Sequence, residues 1–249
     1  MKTSATTAVA LAVAVACAVA ATAATAGRRA EVQVALCGEP AAIERALDLK
    51  PRAAPYETWL FDDDALALHE RGLRLRLRVR ADGAEFTLKA ADQPCTALAP
   101  ALVPRRLGKC EYDVHGDRMT GTVSIATALD APTAQALAAG RLPPADALSE
   151  AQVRFLREAT SAWPLPPGLR ALGPIASRVL TTPGGRYDVD TQRLPDGRHF
   201  VEISAKVPVA EAPATQRALH ARVERAGVAV CADQAGQAGH KLRALLLSR

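Results

Sequence analysis

Residues 73–80 have the sequence Leu-Arg-Leu-Arg-Leu-Arg-Val-Arg, a strict alternation of apolar and cationic side chains. This period of two is typical of a β-strand whose two faces lie in different surroundings. The arginines would then share one face at a spacing of about 6.6 Å, which is twice the rise of a strand. Because like charges so placed repel one another, something anionic must face them: solvent ions, carboxylates of neighbouring strands or a polyanionic ligand.

Similar segments follow and precede this stretch, and the chain is interpreted as one domain rich in antiparallel sheet. Asp82-Gly83 marks a hairpin directly after the arginine strand. The other predicted strands cover residues 31–36, 56–61, 85–90, 109–114, 118–126, 175–181, 187–193 and 199–207. Predicted helices cover residues 41–47, 132–139, 149–162, 212–226 and 236–247.

Most of these strands have one polar and one apolar face, and three arrangements could use that pattern. A sandwich would expose the charged face to water, which is the commonest case for antiparallel sheets. An outer-membrane barrel would turn the apolar face to lipid, but it needs aromatic girdles, and aromatic residues are only 4% of the chain. A soluble barrel would enclose the charged face, and the helices would cover its apolar outside. The amphipathic helices need such a surface, so they favour the soluble barrel.

The amino-terminal segment predicts export. Residues 8–24 are almost wholly alanine and valine, and Ala24-Thr25-Ala26 offers a small-x-small cleavage site. We therefore predict a secretory signal peptide over residues 1–26 and a single mature domain over residues 27–249. A membrane anchor is the alternative, but alanine is weakly apolar and two arginines follow at once. The expected location is secreted or periplasmic, with no membrane span after signal cleavage.

Four cysteines remain in the predicted mature domain: Cys37, Cys95, Cys110 and Cys231. An even number in an oxidising compartment indicates two disulfides, for which three pairings exist. The preferred pairing joins Cys95 to Cys110 across a short proline-rich loop, and Cys37 to Cys231 across the two ends of the domain. A zinc site is disfavoured because no Cys-x-x-Cys occurs and the spacing is irregular.

The overall charge says little about partners, but its distribution is informative. The formal net charge is +5, from 31 basic and 26 acidic residues. Arginine predominates among the basic residues, and it binds carboxylate and phosphate in a bidentate, permanently charged way. Nucleic-acid binding is not expected, because few aromatic residues are available to stack on bases. The oligomeric state cannot be derived from these features.

Residues 56–89 resemble the central part of the CYTH family, also called the triphosphate tunnel metalloenzymes. The matching motifs are Leu60-Phe61-Asp62, Leu66-Ala67-Leu68 with Gly72, Leu73-Arg74-Leu75-Arg76, Asp82-Gly83 and Thr87-Leu88-Lys89. Three later segments are similar to the family's basic and acidic strands: Lys109-Cys110-Glu111-Tyr112-Asp113, Ser177-Arg178 and Glu202-Ile203-Ser204-Ala205-Lys206. The resemblance spans nearly the whole predicted mature domain, and residues 56–89 are its most specific part.

The resemblance implies a closed eight-stranded tunnel barrel with a charged interior, mainly antiparallel β with flanking helices (α+β). It implies that basic side chains hold the phosphate oxygens of a triphosphate or polyphosphate: Arg74, Arg76, Lys89, Lys109, Arg178 and Lys206. It further implies that carboxylates hold Mg²⁺ or Mn²⁺: Glu31, Glu111, Asp113 and Glu202. Such an ion polarises the phosphoryl group and offsets its charge. Members of the family hydrolyse or cyclise phosphoanhydrides.

The first strand departs from the family pattern. Where the family has Glu-x-Glu-x-Lys, this chain has Glu31, Gln33 and Ala35, so one carboxylate and the lysine are missing. Ser204 stands where a second acidic residue is expected in the last strand. Fewer carboxylates weaken a site for a hard metal ion, so catalysis is affected more than anion binding.

Two function hypotheses from different classes remain, together with a structural one. The leading hypothesis is a secreted CYTH-like protein that binds triphosphate or polyphosphate with a divalent metal and, if it is an enzyme, hydrolyses phosphoanhydrides as a triphosphatase. The alternative is a non-catalytic polyanion-binding module with a degenerate metal site. In the structural hypothesis, the arginines only pair with Glu85, Glu111 and Asp113 across strands, and the barrel binds no anion. No catalytic residue is assigned.

Overall fold

In the computed structural model, which describes residues 29–95, 107–234 and 237–247, the alternating segments form a closed barrel. Its strands, within these residues, are β1 (Arg29–Cys37), β3 (Tyr56–Asp62), β4 (Leu73–Arg80), β5 (Gly83–Ala91), β6 (Gly108–His115), β7 (Arg118–Leu129), β8 (Arg170–Thr181), β9 (Asp188–Arg193) and β10 (His199–Pro208). Two short strands, β2 (Lys50–Pro51) and β11 (Ala229–Val230), pair with β8 and β1 outside the barrel. The helices are α1 (Pro40–Ala46), α2 (Ala67–Glu70), α3 (Ala131–Ala138), α4 (Glu150–Glu158), α5 (Ala212–Arg225) and α6 (Gln237–Leu247).

The order of strands around the barrel is β10-β9-β8-β3-β4-β5-β7-β6-β1, and pairing of β1 with β10 closes it. All neighbours are antiparallel except β1 and β6, which are parallel. The predicted tunnel barrel is therefore confirmed, but the described residues form nine barrel strands and not eight. The number eight came from the family resemblance, whereas the residue patterns themselves mark nine segments, and each of them is a strand.

The apolar faces of the strands point outward and are covered by helices, as the soluble-barrel arrangement predicts. Leu75, Leu77 and Phe86 are fully buried against α3 and α4 on one side. On the other side, Val34 and Ile203 are fully buried in a cluster that includes residues of α1 and α5. Each buried side chain of this size contributes about 1.5–3 kcal/mol. The stability of the barrel thus comes from its outer surface, which leaves the inner face to polar residues.

One end of the barrel is closed by the carboxyl-terminal helix. Leu242 and Leu245 of α6 lie in an apolar cluster with Leu60 of β3 and Leu172 of β8. Leu60 is paired with Arg76, so it belongs to the inner face of the barrel. The helix therefore fills this end with apolar side chains, which lie next to charged side chains of the inner face such as Arg76.

Both predicted disulfides are present. Cys37 is bonded to Cys231, with 5.1 Å between their Cα atoms, and Cys95 is bonded to Cys110, with 5.4 Å between theirs. The first bond ties the end of β1 to the segment that leads into α6. The predicted signal peptide, residues 1–26, lies outside the described residues. Within the described part of the chain, no helix is both long and apolar enough to cross a membrane.

Candidate functional site

The pairing of β4 with β5 sets the inner face of the barrel. Arg74 lies opposite Lys89, Arg76 opposite Thr87 and Arg78 opposite Glu85. Since the intervening leucines are buried under the helices, the arginines point into the tunnel. Because alternate residues of a strand share one face, the alternating sequence places a row of cations along the lumen.

The central cations of the tunnel are desolvated and lack ion-pair partners. Among the described residues, Arg74, Arg76 and Lys89 have no carboxylate oxygen within 4.0 Å and make no side-chain hydrogen bond. The Nε atoms of Arg76 and Arg78 are buried without an acceptor. Each of the three side chains is half-buried and keeps some accessible area. A buried cation normally has an anionic partner, and the described residues do not supply one to these three side chains.

The pKa values reflect this crowding of positive charge. Burial, with repulsion from Arg78 and Arg74, lowers the pKa of Arg76 to about 9. Burial, followed by repulsion from Arg76, lowers the pKa of Lys89 to about 8. Both groups are still cationic at neutral pH, and an anion placed between them would relieve the cause of both shifts.

The carboxylates of the tunnel lie on β1, β6, β9 and β10. Glu202 is opposite Asp190, and burial, with repulsion from Glu31 and Asp190, raises the pKa of Glu202 to about 7. Nearer the open end, Lys206 Nζ lies 3.6 Å from both Glu31 Oε2 and Glu111 Oε1. The pKa of Glu111 is lowered, because the hydrogen bond from Lys109 and the charge of Lys206 outweigh its burial.

The open end also contains an aromatic side chain that the sequence analysis did not assign to the site. The guanidinium groups of Arg78 and Arg80 lie over the ring of Tyr56, 4.7 Å and 5.2 Å from its centroid. The hydroxyl of Tyr56 donates to Asp190 Oδ1 at 3.2 Å. Burial and the negative charge of Asp190 raise the pKa of Tyr56. Tyr56 therefore stays neutral and holds two arginines at the entrance by cation–π contacts.

Most of the residues that the sequence assigned to phosphate binding lie on the inner face, but not all of them come together. Arg74, Arg76 and Lys89 are neighbours in the middle of the tunnel, and Lys206 lies toward its open end. The side chain of Lys109 is 57% exposed and pairs with Glu111 at 3.0 Å. Arg178 pairs with Thr191 on the outer face and forms an ion pair with Glu44 of α1 at 3.2 Å. The structure thus separates Arg178 from the other cations.

The four carboxylates that the sequence assigned to a metal ion do not all come together either. Glu31 and Glu111 converge on the ammonium of Lys206, Asp113 accepts a hydrogen bond from Thr122 at 3.0 Å, and Glu202 lies toward the closed end. Within the described residues, no group of three or more His, Cys, Asp or Glu side chains could hold a metal ion. Mg²⁺ commonly uses one or two carboxylates and takes its other ligands from phosphate and water. Glu31 and Glu111 lie close enough to share the ammonium of Lys206, but together with the other described residues they form no preformed metal cage.

One further inner cation, Lys241, comes from α6 and was missed. Burial lowers the pKa of Lys241, and the carboxylates of Glu202 and Asp190 counteract this. Its Nζ lies 5.2 Å from the centre of the Phe200 ring. Nothing in the sequence could have found it, because a lysine in a terminal amphipathic helix is normally a surface residue.

The fold of the chain is similar to that of solved structures, although comparisons of its sequence find no match. No family model matches the sequence, and the comparison with curated proteins gives no match. A candidate adenylyl cyclase from Hippeastrum, described as having a dominant triphosphatase activity, has a TM-score of 0.53 at 14% identity over 82% of this chain and 91% of its own. A candidate adenylate cyclase from Bacillus halodurans has a TM-score of 0.53 at 16% identity over 84% of this chain and 97% of its own.

The chain therefore has the triphosphate tunnel fold of the CYTH type, in a divergent form. This confirms the resemblance found in residues 56–89. At such low identity the likeness establishes the fold alone, and the function has to be argued from the side chains of the tunnel.

Proposed function

We propose that the tunnel binds the triphosphate group of inorganic triphosphate, a short polyphosphate or a nucleoside triphosphate. The observation that supports this most directly is the set of inner cations without ion-pair partners, Arg74, Arg76 and Lys89. Removing a cation from water costs several kcal/mol unless an anion compensates it. A linear triphosphate has several negative charges along an extended chain, which matches cations spaced along a tunnel. The triphosphatase activity named for the Hippeastrum protein supports the same ligand class.

The test is isothermal titration of the protein with tripolyphosphate at low salt. We expect the Arg76→Gln variant to bind at least about tenfold more weakly, because it loses charge-assisted hydrogen bonds to phosphate. The matched control is Arg178→Gln, which removes the same charge from the outer face and should bind like the wild type. If the wild-type protein binds no polyphosphate, the barrel is only structural. Equal losses in both variants would show that the attraction is not specific to the tunnel.

Hydrolysis is the second candidate function, and a divalent ion belongs to it. Mg²⁺ or Mn²⁺ would be held by Glu31, Glu111 and the phosphate oxygens, and when bound it would polarise the phosphoryl group and offset its charge. The tunnel cations would bind and orient the chain, and the apolar end formed by α6 would exclude water from behind it. Phosphate release from tripolyphosphate, with and without a chelator, tests this. Release no faster in the wild type than in Glu111→Gln would leave a binding protein that is not a triphosphatase.

We also propose that the protein works in an oxidising compartment outside the cytoplasm. The two disulfides support this, since such bonds persist in secreted and periplasmic proteins and are rare in the cytosol. Cleavage after Ala26 can be checked by mass spectrometry of the exported protein. Retention of residues 1–26 on the mature protein would contradict the signal-peptide assignment.

A further inference from the structure

A pocket of about 340 Å³ lies on the outer surface, between α5 and the turn that joins β8 to β9. Ala218 and Ala221 of the helix line it, and their small side chains leave the space open. Tyr187, at the end of the turn, also lines the pocket, and it is buried in the apolar cluster that α5 covers outside the barrel. The sheet therefore separates this pocket from the tunnel.

The turn that faces the helix is held in place by hydrogen bonds. The amide of Thr182 donates to the carbonyl of Tyr187 at 3.0 Å, and the amide of Tyr187 donates to the hydroxyl oxygen of Thr182 at 3.3 Å. The amide of Gly185 donates to the carbonyl of Thr182 at 2.9 Å. Gly184 and Gly185 have φ values of +81° and +68°, in the left-handed region that glycine adopts without strain. The turn therefore has a defined shape, and the pocket is present without a ligand.

Three arginines line the pocket: Arg186 from the turn, and Arg222 and Arg225 from α5. No aspartate or glutamate of the described chain lines it. Among the described residues, the three guanidinium groups have no carboxylate oxygen within 4.0 Å and make no side-chain hydrogen bond. Asp188, the carboxylate nearest to Arg186 in the sequence, is already paired with Arg52. The positive charge of the pocket is therefore not balanced by the side chains that line it.

Arg222 has a donor that the protein leaves unsatisfied. Its Nε atom is almost inaccessible to solvent and has no acceptor among the described residues. Buried donors nearly always have a hydrogen-bond partner, and a cation removed from water normally has an anion beside it. Arg186 is oriented by a cation–π contact, because its guanidinium lies 5.3 Å from the centroid of the Tyr187 ring. The pocket thus combines oriented donors with uncompensated positive charge.

The number of donors favours a phosphate group over a carboxylate. A guanidinium presents its N–H donors in a planar fork that matches oxyanions in a bidentate way. A carboxylate has only two oxygens and one negative charge, so a single fork can satisfy most of it. A phosphate monoester has three terminal oxygens, and it carries close to two negative charges at neutral pH because its second pKa is about 6. Three arginines around one pocket therefore match a phosphate monoester better.

We propose that this pocket binds a phosphate monoester through Arg186, Arg222 and Arg225, and that it is an anion site outside the tunnel. The proposal is independent of the function proposed for the tunnel, because the two sites lie on opposite faces of the sheet and share no residue. The same chemical group occurs in soluble metabolites and in the headgroup of phosphatidic acid, so the experiment has one arm for each source.

Isothermal titration with glycerol 3-phosphate tests the soluble source, and co-sedimentation with phosphatidylcholine vesicles that contain phosphatidic acid tests the lipid source. For the source that binds the wild type, we expect Arg222→Gln to bind at least about tenfold more weakly, because it loses charge-assisted hydrogen bonds. Ala221→Leu should also weaken binding, because it fills the pocket without changing the charge. The matched control is Arg217→Gln, which removes an exposed cation of the same helix that does not line the pocket, and it should bind like the wild type.

The tunnel variant Arg76→Gln distinguishes the two sites. It should keep the wild-type affinity for the monoester, and Arg222→Gln should keep the wild-type affinity for tripolyphosphate if the tunnel binds that ligand. Monoester binding that is lost in Arg76→Gln and kept in Arg222→Gln would place the monoester in the tunnel and refute the outer site. The outer site is also refuted if the wild type binds neither glycerol 3-phosphate nor the vesicles, or if Arg217→Gln loses as much affinity as Arg222→Gln.

A second measurement uses the wild-type protein, so it does not depend on the folding of a variant. Modification by phenylglyoxal, followed by mass spectrometry, reports how accessible each arginine is. The probe that binds, soluble or lipid, should protect Arg222 and Arg225 and leave Arg217 as reactive as in the free protein. Binding without protection of Arg222 and Arg225 would show that the monoester lies elsewhere and would overturn the proposal.

Discussion

Replacing Arg76 with methionine is expected to stabilise the ligand-free protein while it weakens ligand binding. The guanidinium has no ion-pair partner, and burial lowers its pKa from its ordinary value to about 9. At 1.36 kcal/mol per pKa unit, this corresponds to ~5 kcal/mol of unfavourable interaction in the folded state. Water in the lumen screens part of that cost, so a net gain of roughly 1–3 kcal/mol is expected. Methionine retains most of the apolar stem, which limits the loss of packing.

Thermal unfolding in a buffer without phosphate measures this effect. For a domain of this size, 1 kcal/mol shifts Tm by about 2–4 °C, so the Tm of Arg76→Met should rise by roughly 3–10 °C. Saturating tripolyphosphate should raise the Tm of the wild type, by an amount set by the ratio of ligand concentration to Kd. It should raise that of the variant much less. The control, Arg178→Met, removes a cation from the outer face, where it is paired with Glu44, and should not raise Tm.

The opposite result would refute the reasoning about unpaired cations. If Arg76→Met lowers Tm in the absence of ligand, the guanidinium is compensated in the folded protein, for example by Glu85 on the neighbouring strand. The tunnel would then be a self-neutralised interior, and its affinity for anions would have to come from the open end. A rise in Tm together with wild-type affinity for tripolyphosphate would refute the role of Arg76 in binding and leave the electrostatic argument intact.

Three further predictions concern pH, the disulfides and a close backbone contact. As pH rises through about 8, Lys89 loses its proton, so the affinity for tripolyphosphate should fall, and Lys89→Arg should move this loss to higher pH. The ligand-free wild type should instead gain stability between pH 8 and 10.5, because the unfolded chain then binds more protons than the folded one. Calorimetry at pH 7–10 measures both trends, and parallel trends would contradict the sign. Replacing Cys37 and Cys231 by alanine should lower the free energy of unfolding by roughly 5 kcal/mol, because this disulfide closes a long loop. Removing the Cys95–Cys110 disulfide, which closes a shorter loop, should cost only ~3 kcal/mol. Denaturant titrations measure both losses, and equal losses would contradict the loop-length argument. Gly121→Ala would bring its Cβ to 2.8 Å from the carbonyl oxygen of Gln93, so a loss of about 1–3 kcal/mol is expected, and an unchanged Tm would show that this contact can relax.

The sequence predicted the inner face wherever a strand alternates cleanly. In β4 and β5 the leucines and Phe86 are buried on one side, so Arg74, Arg76 and Lys89 had to share the other. In β8 this signal is absent, because residues 175, 177, 179 and 181 and residues 176, 178 and 180 both mix polar and apolar types. Its pairing with β3 is also shifted between Thr58 and Leu60. A shift of one residue moves every side chain to the other face, so similarity of the Ser177-Arg178 motif could not place Arg178.

The contribution of α6 could not be predicted for a different reason. The spacing of its leucines predicts a helix with an apolar face, but that pattern does not tell whether the face covers the outside of the barrel or fills one end. The decision depends on contacts distant in sequence, such as the disulfide from Cys37 and the hydrogen bonds of Gln234 to Ala35. The same contacts bring Lys241 into the tunnel, so this residue was found only in three dimensions.

The placement of apolar and charged residues also explains how the barrel is stable although its inner face is charged. Its strands obtain their packing from the helices outside and from the leucines of α6 at one end, so the tunnel cations need not contribute to folding. The apolar end lowers the effective dielectric constant around Arg74 and Lys241, which makes their repulsion costly in the free protein and their attraction for phosphate strong in the complex. Stability of the free protein and affinity for the ligand are therefore opposed at these positions. A substitution that neutralises an inner cation should raise the stability of the free protein and lower its affinity for the ligand. The same substitution at Arg178, which is paired with Glu44 outside the barrel, should not raise stability and should leave affinity unchanged.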